Sequence, residues 1–389
     1  MNFNLSFSFI LPTRIEYGMG THKRIPELVK GLGASKILII TDPGVSQLDW
    51  FTRVVGLLSS QKVTVEVFKG VEPNPKDRNV EEAATVAQRM GADCLLAIGG
   101  GSPIDCAKVA AILAVYGGKP RDYEDRSRIG PHPLPIIAIP TTAGTGSEVT
   151  FGAVITDTGA KFKFTVKSPS IAPKIALVDP ELTLSMPPAL TAATGMDALT
   201  HAIEAYTSKA AEPISDACAL YAAELIATHL PQAVRDGKDL EARSAVLLGS
   251  LLAGIAFSHS DVGAVHCIAE ALGGMYDIPH GICNAVCLPY VMEYCLEANR
   301  SRYARLARAM TPSPKEGIEA QRFTAEEAAR IVRDLAQQVG LPEFRSFNVP
   351  VADFPLIAEK SSANGSNKDN IPVLTKEDYL RILEQLQMG

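Results

Sequence analysis

Asp197 and His201 stand four residues apart in the run Gly195-Met196-Asp197-Ala198-Leu199-Thr200-His201-Ala202-Ile203-Glu204, so a helix places both on one face. Their neighbours Ala198, Leu199, Ala202 and Ile203 are apolar, which predicts a buried face. His266 lies in a second apolar stretch with Glu270 four residues on. His280 sits between Pro279 and Gly281, a tight position at a helix start. One histidine in an apolar context reads first as a satisfied core residue. Three of them with a carboxylate in register bring a divalent metal site level with that reading. A set of three histidines and one carboxylate suits Fe(II), Zn(II) or Ni(II) better than Mg or Ca. His280, Cys283 and Cys287 have a spacing that permits zinc, but a second half is missing, and Cys in an apolar helix is usually a small core residue. Glu204 reads as an ordinary salt-bridge residue in preference to a partner of a ligand.

Two glycine- and hydroxyl-rich turns carry a different chemistry. The buried run 94–98 leads into Gly99-Gly100-Gly101-Ser102, with Ser102 expected as helix N-cap, Pro103 at the first helical position and Asp105 accepting from the first turn or from Ser102. Glycines let the backbone approach a ligand, and the N–H groups of a helix start attract phosphate. The spacing is not that of the standard dinucleotide fingerprint, because Ile104 takes the third glycine's place. Asp42 also precedes the loop, whereas the usual ribose acid follows it by about 20 residues. A tight turn with no ligand is the alternative. The second turn, Pro140-Thr141-Thr142-Ala143-Gly144-Thr145-Gly146-Ser147, also follows a buried strand. Two such loops at strand carboxyl ends place a cleft where open parallel sheets bind ligands. Asp42 reads equally as an acceptor for ribose hydroxyls and as a turn residue before Pro43.

The elements that must hold these residues alternate in the first half. Strands are expected at 36–41, 63–68, 94–98 and 136–139, with helices at 77–90 and 103–115, which implies βαβ units and a parallel sheet. Residues 151–156 and 162–166 flank a hairpin turn at 157–160. Alternation of Phe3, Leu5, Phe7 and Phe9 with polar residues predicts an edge strand. After Asp179-Pro180-Glu181-Leu182-Thr183 the pattern becomes helical at 192–207, 216–230, 242–257, 263–272, 290–309, 325–339 and 376–386, and 361–370 reads as a loop. The domains expected are therefore 1–184 and 185–389. The apolar stretch 244–257 is shorter than the ~18 residues of a membrane span and reads as a core helix. The chain of 389 residues is 47% hydrophobic, and its 37 Lys+Arg against 43 Asp+Glu give a net charge of −6. That balance disfavours nucleic acid or a membrane as partner. The first residues have neither a basic n-region nor a cleavage site of a signal peptide, and seven scattered cysteines imply free thiols in a reducing compartment, so a cytoplasmic location is expected.

Four segments then point to a family. IGGGSPIDCAK (98–108), PTTAGTGSEVT (140–150), GMDALTHAIEAY (195–206) and His266 with PHGICNAVCLP (279–289) resemble the iron-containing, group III alcohol dehydrogenases in order and spacing, from about Pro12 to the C-terminus. The branch resembled is that of lactaldehyde reductase and 1,3-propanediol dehydrogenase. The resemblance implies an α/β dinucleotide-binding domain with a parallel sheet and an all-α metal-binding domain, an architecture shared with dehydroquinate synthase. It implies Asp197, His201, His266 and His280 as metal ligands, with Fe(II) foremost. Gly100, Gly101 and Ser102, with Asp105 beside them, match the pyrophosphate loop. Thr141, Thr142, Thr145 and Ser147 match nicotinamide and ribose contacts, and Asn74 and Lys163 fall on further cofactor positions. Asp42 matches the position whose carboxylate favours NAD, since a 2′-phosphate there would meet an unpaired negative charge.

Two departures bear on the substrate. Glu270 stands where the family often has a second histidine, and is expected either to relay protons or to change substrate preference. Gly152 replaces a larger polar residue of some lactaldehyde reductases, leaving room beside Phe151 and Phe257, which are expected to line the pocket. The activity implied is reversible hydride transfer between NAD(H) and a small primary alcohol or aldehyde, with the metal acting as Lewis acid. The alternatives are a lyase or cyclase of the dehydroquinate synthase type, for which no dense Lys/Arg cluster stands beside the metal motifs, and a non-catalytic NAD- or metal-binding sensor. Glycerol dehydrogenases normally keep fewer histidine ligands, and maleylacetate reductases lack this metal set. The resemblance also suggests a homodimer or larger homo-oligomer, with residues 3–10 exchanged as an edge strand.

Overall fold

Short β-branched runs of the first half pair side by side in the computed structural model, which describes residues 6–59, 63–160, 162–311 and 323–389. Strands β1 (Arg14–Tyr17), β2 (Lys36–Ile40), β3 (Thr64–Phe68), β4 (Cys94–Gly99), β5 (Ile136–Pro140) and β8 (Ile175–Val178) form one sheet, ordered β3-β2-β4-β5-β8-β1 and parallel throughout. Strands β6 (Gly152–Asp157) and β7 (Phe162–Lys167) make the antiparallel hairpin expected around residues 157–160. Along β2, Ile37 and Ile39 pack under α1 (Ile25–Gly31) and α2 (Asp49–Ser59), whereas Leu38 and Ile40 face α3 (Asp77–Met90) and α4 (Gly101–Tyr116). Both faces are covered, which is why these strands read as unbroken apolar runs. β2 lies between β3 and β4, so the chain reverses its direction of travel across the sheet at the β2/β4 pair. Ligands of such sheets bind outside the carboxyl ends at that switch point. Asp42 and Gly99 stand at those two ends.

Two elements differ from expectation here. β1 and β8, four residues each, pair with one another across the far edge of the sheet. Of the alternating segment at the N-terminus, Phe3 and Leu5 lie outside the described residues, and residues 6–11 take no strand conformation. Phe9 instead stacks on His259, with ring centroids 4.0 Å apart, so its apolar face is met by a ring and not by a ladder.

The helices of the second half are α5 (Pro188–Thr207), α6 (Pro213–Arg235), α7 (Leu240–Ser260), α8 (Ala264–Tyr276), α9 (His280–Tyr294), α10 (Leu296–Met310), α11 (Ala325–Gln338), α12 (Phe354–Ser362) and α13 (Lys376–Met388). Most follow the expected periods, but α12 has no counterpart among them, α9 begins ten residues before the stretch expected at 290, and two further expectations are corrected. The single helix expected over 290–309 is two, broken at Cys295, whose carbonyl accepts from Asn299 Nδ2 at 3.2 Å. The loop expected at 361–370 is a helix end and a 3-10 turn, and the buried Asn367 ties it down by accepting from Leu374 N and the Tyr379 hydroxyl. α7 extends the 244–257 stretch at both ends and is long and apolar enough to cross a membrane by length and composition. It packs against α5 and α6 with most of its side chains buried, as a core helix does. All seven cysteines are free thiols. The chain divides into two compact units, Pro12–Ser185 and Met186–Gly389, the latter with the segment ending at Leu11.

Candidate metal centre and cofactor loops

In the helical unit, one turn of α5 separates Asp197 from His201, α8 supplies His266, and His280 is the first residue of α9. One ligand atom from each of Asp197, His201 and His266 lies within 4.8 Å of the others, and all three residues are buried. His280 joins them through Asn284, one turn along α9 and fully buried. The Asn284 Nδ2 lies 2.7 Å from Asp197 Oδ1, 3.0 Å from His266 Nε2 and 3.1 Å from His280 Nε2. Asn284 was not singled out by sequence, where a buried amide looks like any other polar residue. Gly281 makes the approach of α9 to α5 possible, because a Cβ there would sit 2.7 Å from the Ala193 carbonyl oxygen.

Glu204, read from sequence as a salt-bridge residue, belongs to this cluster. It is buried one turn beyond His201, its Oε2 pairs closely with His266 Nδ1, and its Oε1 accepts from Val265 N at 2.7 Å. That partner fixes the His266 tautomer and leaves Nε2 as the basic atom facing Asp197. Burial disfavours a charged His266, but Glu204, Asp197 and Glu270 outweigh it and raise its pKa. Burial likewise pushes Asp197 upward, and the imidazoles of His201, His280 and His266, with the Asn284 amide, reverse this and hold it below the usual carboxylate range. A carboxylate kept ionised among imidazole nitrogens is a donor set that fits a borderline divalent ion. Phe257 stacks on His201 at 4.3 Å between centroids. Glu270 is half-buried, and its Oε2 accepts from Asn364 Nδ2 at 2.6 Å.

In the α/β unit, α4 starts two residues earlier than expected. Gly100 is its N-cap, Ser102 and Pro103 fall inside the first turn, and no side chain caps the helix. The first-turn N–H groups are the ones that attract phosphate at a helix start. Gly99 has φ +153°, and a Cβ on Gly101 would lie 2.7 Å from Thr145 Cγ2, so the two loops meet where only glycine fits. Thr142 packs against Gly100, and Thr141 N donates to the Gly99 carbonyl at 2.9 Å. Asp105 does not serve the first turn or Ser102: its Oδ1 accepts from Ser147 Oγ at 2.5 Å and its Oδ2 from Val154 N at 2.9 Å. The Asp42 Oδ1 accepts from Val45 N, a turn role, while its Oδ2 lies beside Gly99. Asn74, in left-handed backbone at φ +52°, accepts from Lys163 Nζ at 2.9 Å, which brings those two candidates together. Phe151 and Gly152 begin the β6–β7 hairpin, and a Cβ on Gly152 would meet nothing within 4 Å.

A second cluster, His22, Asp179 and Glu181, is explained by local structure. The Asp179 carboxylate already accepts from Gly20 N, His22 N, His22 Nδ1 and Glu181 N.

Comparison with known proteins identifies the family. Residues 12–180 match the family described as iron-containing alcohol dehydrogenase, and residues 191–387 match its C-terminal domain. The chain is 40% identical over 382 residues to 1,3-propanediol dehydrogenase of Klebsiella pneumoniae, covering 97% of this chain and 98% of that one. It is 37% identical over 378 residues to NAD-dependent methanol dehydrogenase of Bacillus methanolicus, covering 97% and 99%. A crystal structure of 1,3-propanediol oxidoreductase superposes with a TM-score of 0.92 at 38% identity, covering 98% of this chain and all of that one. The chain therefore belongs to the iron-containing alcohol dehydrogenases.

Proposed function

We propose that this metal-dependent alcohol dehydrogenase transfers a hydride reversibly between NAD(H) and a small primary alcohol or its aldehyde, with Asp197, His201, His266 and His280 holding a divalent ion. Fe(II) is the ion first in line, and Zn(II) or Ni(II) fit the same donors. The observation that carries this reading is the convergence of the Asp197, His201 and His266 ligand atoms within 4.8 Å, backed by the Glu204 carboxylate. The names of the relatives support the NAD and small-alcohol assignments. They disfavour the lyase alternative.

The ion supplies Lewis-acid polarisation of the alcohol oxygen, and NAD supplies the hydride acceptor. Glu204 keeps the His266 Nε2 aimed at the ligand group, and Asn284 orients Asp197. Gly100, Gly101 and Ser102 cradle the pyrophosphate at the start of α4, and Thr141, Thr142, Thr145 and Ser147 take the ribose and nicotinamide side. Asn74 and Lys163 act as one hydrogen-bonded pair at the cofactor. Asp42 selects against a 2′-phosphate. Phe151 and Gly152 of the α/β unit, and Phe257 beside His201 of the helical unit, are each assigned to the substrate, and Glu270, steadied by Asn364, moves the alcohol proton toward solvent. Cofactor binding belongs to Pro12–Ser185 and the metal to Met186–Gly389, in a cytoplasmic homodimer or larger assembly.

The test is anaerobic NADH oxidation with propanal, lactaldehyde, 3-hydroxypropanal and succinic semialdehyde, on chelated protein before and after adding Fe(II), Zn(II) or Ni(II). Turnover restored by metal is the expected result. NADH binding without turnover of any aldehyde under any metal would sink the proposal.

A further inference from the structure

Lys108 is a buried charged group with no part in the proposed metal or cofactor contacts. It lies on α4, three residues beyond Asp105, and none of its surface is exposed. An ammonium taken out of water is tolerated when its three N–H groups all find acceptors. They do here: Nζ donates to Ser147 Oγ at 2.7 Å, to Thr150 Oγ1 at 2.8 Å and to the Gly152 carbonyl at 2.7 Å. The Asp105 carboxylate lies 3.5 Å away, and its field opposes the burial that lowers the Lys108 pKa. All three acceptors belong to the stretch 147–152, which carries the chain out of the second cofactor loop and into β6. Asp105 closes the clamp from the same helix, accepting from Ser147 Oγ on one oxygen and Val154 N on the other.

We propose that Lys108 is the positioning residue of the cofactor site: its ammonium draws residues 147–152 onto α4 and thereby sets the spacing between the hydroxyls of Thr141–Ser147 and the glycines that begin the same helix. One helix thus holds both loops, its first turn presenting Gly100 and Gly101 and its second turn gripping the exit of the other loop. A Cβ on Gly101 would meet Thr145 Cγ2 at 2.7 Å, which shows how little slack separates them. An apolar side chain would fill the same volume without fixing the position of three separate backbone and hydroxyl oxygens, which is the service a buried, fully bonded charge renders. Lys108 does not touch the dinucleotide. Its effect falls on NAD(H) affinity and not on the hydride step. The inference rests on the NAD reading of the preceding section.

The test is NADH titration by nicotinamide fluorescence of the metal-loaded wild type, Lys108→Met and Thr150→Val, with metal content and steady-state kinetics in parallel. Lys108→Met is expected to bind NADH about tenfold more weakly, the loss of roughly one charge-assisted hydrogen bond. KM for NAD should rise by a similar factor, with kcat at saturating NAD little changed. Metal content should stay at the wild-type level, because every candidate ligand lies in the other unit. Thr150→Val, which removes one acceptor and keeps the shape, is expected to weaken NADH in the same direction by about threefold. Wild-type affinity in both variants would overturn the proposal, as would a fall in kcat with unchanged KM. If Lys108→Met does not fold, Thr150→Val decides by the same criterion. A wild type that binds no NADH overturns the cofactor reading itself, and is told apart from the other outcomes by that alone.

Discussion

At a buried imidazole, the group on the far ring nitrogen decides what the near nitrogen can do. Glu204 occupies His266 Nδ1 and leaves Nε2 as a lone-pair donor 3.0 Å from the Asn284 amide. Replacing Glu204 with Gln keeps a hydrogen-bonding group of the same shape and removes the charge that makes the ring a better donor. Glu204→Gln is therefore expected to weaken metal affinity by about 10- to 100-fold, read by competition with a calibrated chelator. Affinity equal to wild type would reduce Glu204 to packing. Asp42 makes a second residue-scale case. Its Oδ1 serves the turn by accepting from Val45 N, and its Oδ2 lies next to Gly99 at the switch point, so the turn-maker is also the proposed cofactor selector. Asp42→Ser keeps a turn acceptor while removing the charge. The kcat/KM ratio of NADP to NAD should rise by about tenfold, the size of one relieved charge repulsion in a partly exposed site. A ratio that stays put would leave Asp42 with the turn alone.

What brings these side chains together is the fit of one element against another, and Gly281 is where that fit is tightest in the helical unit. A methyl group there meets the Ala193 carbonyl at 2.7 Å and the Asp197 Cβ at 3.3 Å, so α9 must move off α5 and take His280 with it. Gly281→Ala is expected to lose about 1–3 kcal/mol in denaturant unfolding, together with metal affinity. Gly274→Ala on the exposed side of α8, where nothing lies within 4 Å, should instead gain a few tenths to about 1 kcal/mol. Equal behaviour of the two variants would deny the close approach. Elements were legible from sequence where their pattern is local: the βα alternation, the β6–β7 hairpin and the helical periods of α5 to α8 all stand in their own residues. β1 and β8 were not, because Arg-Ile-Glu-Tyr is a strand only by virtue of a partner about 160 residues away. The break between α9 and α10 has no glycine or proline to announce it, and the Asn299 amide that meets the Cys295 carbonyl there gives no signal in sequence. Lys108 and Asn284 escaped notice, and Glu204 read as an ordinary salt-bridge residue, for one shared reason: charge and polarity in a sequence signal exposure, and only the apolar residues around them hint at burial. His201, His266 and Asp197 were visible because a histidine or aspartate in an apolar helix already contradicts its surroundings.

On the scale of the whole molecule, the two candidate sites draw on different parts of the chain. Asp197, His201, His266 and His280 all lie within Met186–Gly389, and the glycine and threonine loops lie within Pro12–Ser185. A ligand stabilises only the structure whose unfolding releases it, by RT ln(1 + [L]/Kd), which is about 2.7 kcal/mol when the ligand stands at 100 times its Kd. Metal and cofactor should therefore leave separate marks on hydrogen exchange. Chelation is expected to speed exchange of the amides of α5, α8 and α9, whose packing the ligand residues complete, and to leave β2, β4 and β5 at their former rates. NADH added to the metal-free protein should do the reverse, slowing the amides at the start of α4 and the end of β5. A sheet that loses protection on chelation as fast as the helices do would mean that the ion is not held by the helical residues alone, and the ligand set would have to be reassigned. Slowing by NADH confined to α5 and α8 would place the nucleotide away from the glycine loop and remove Gly100, Gly101 and Ser102 from the cofactor site.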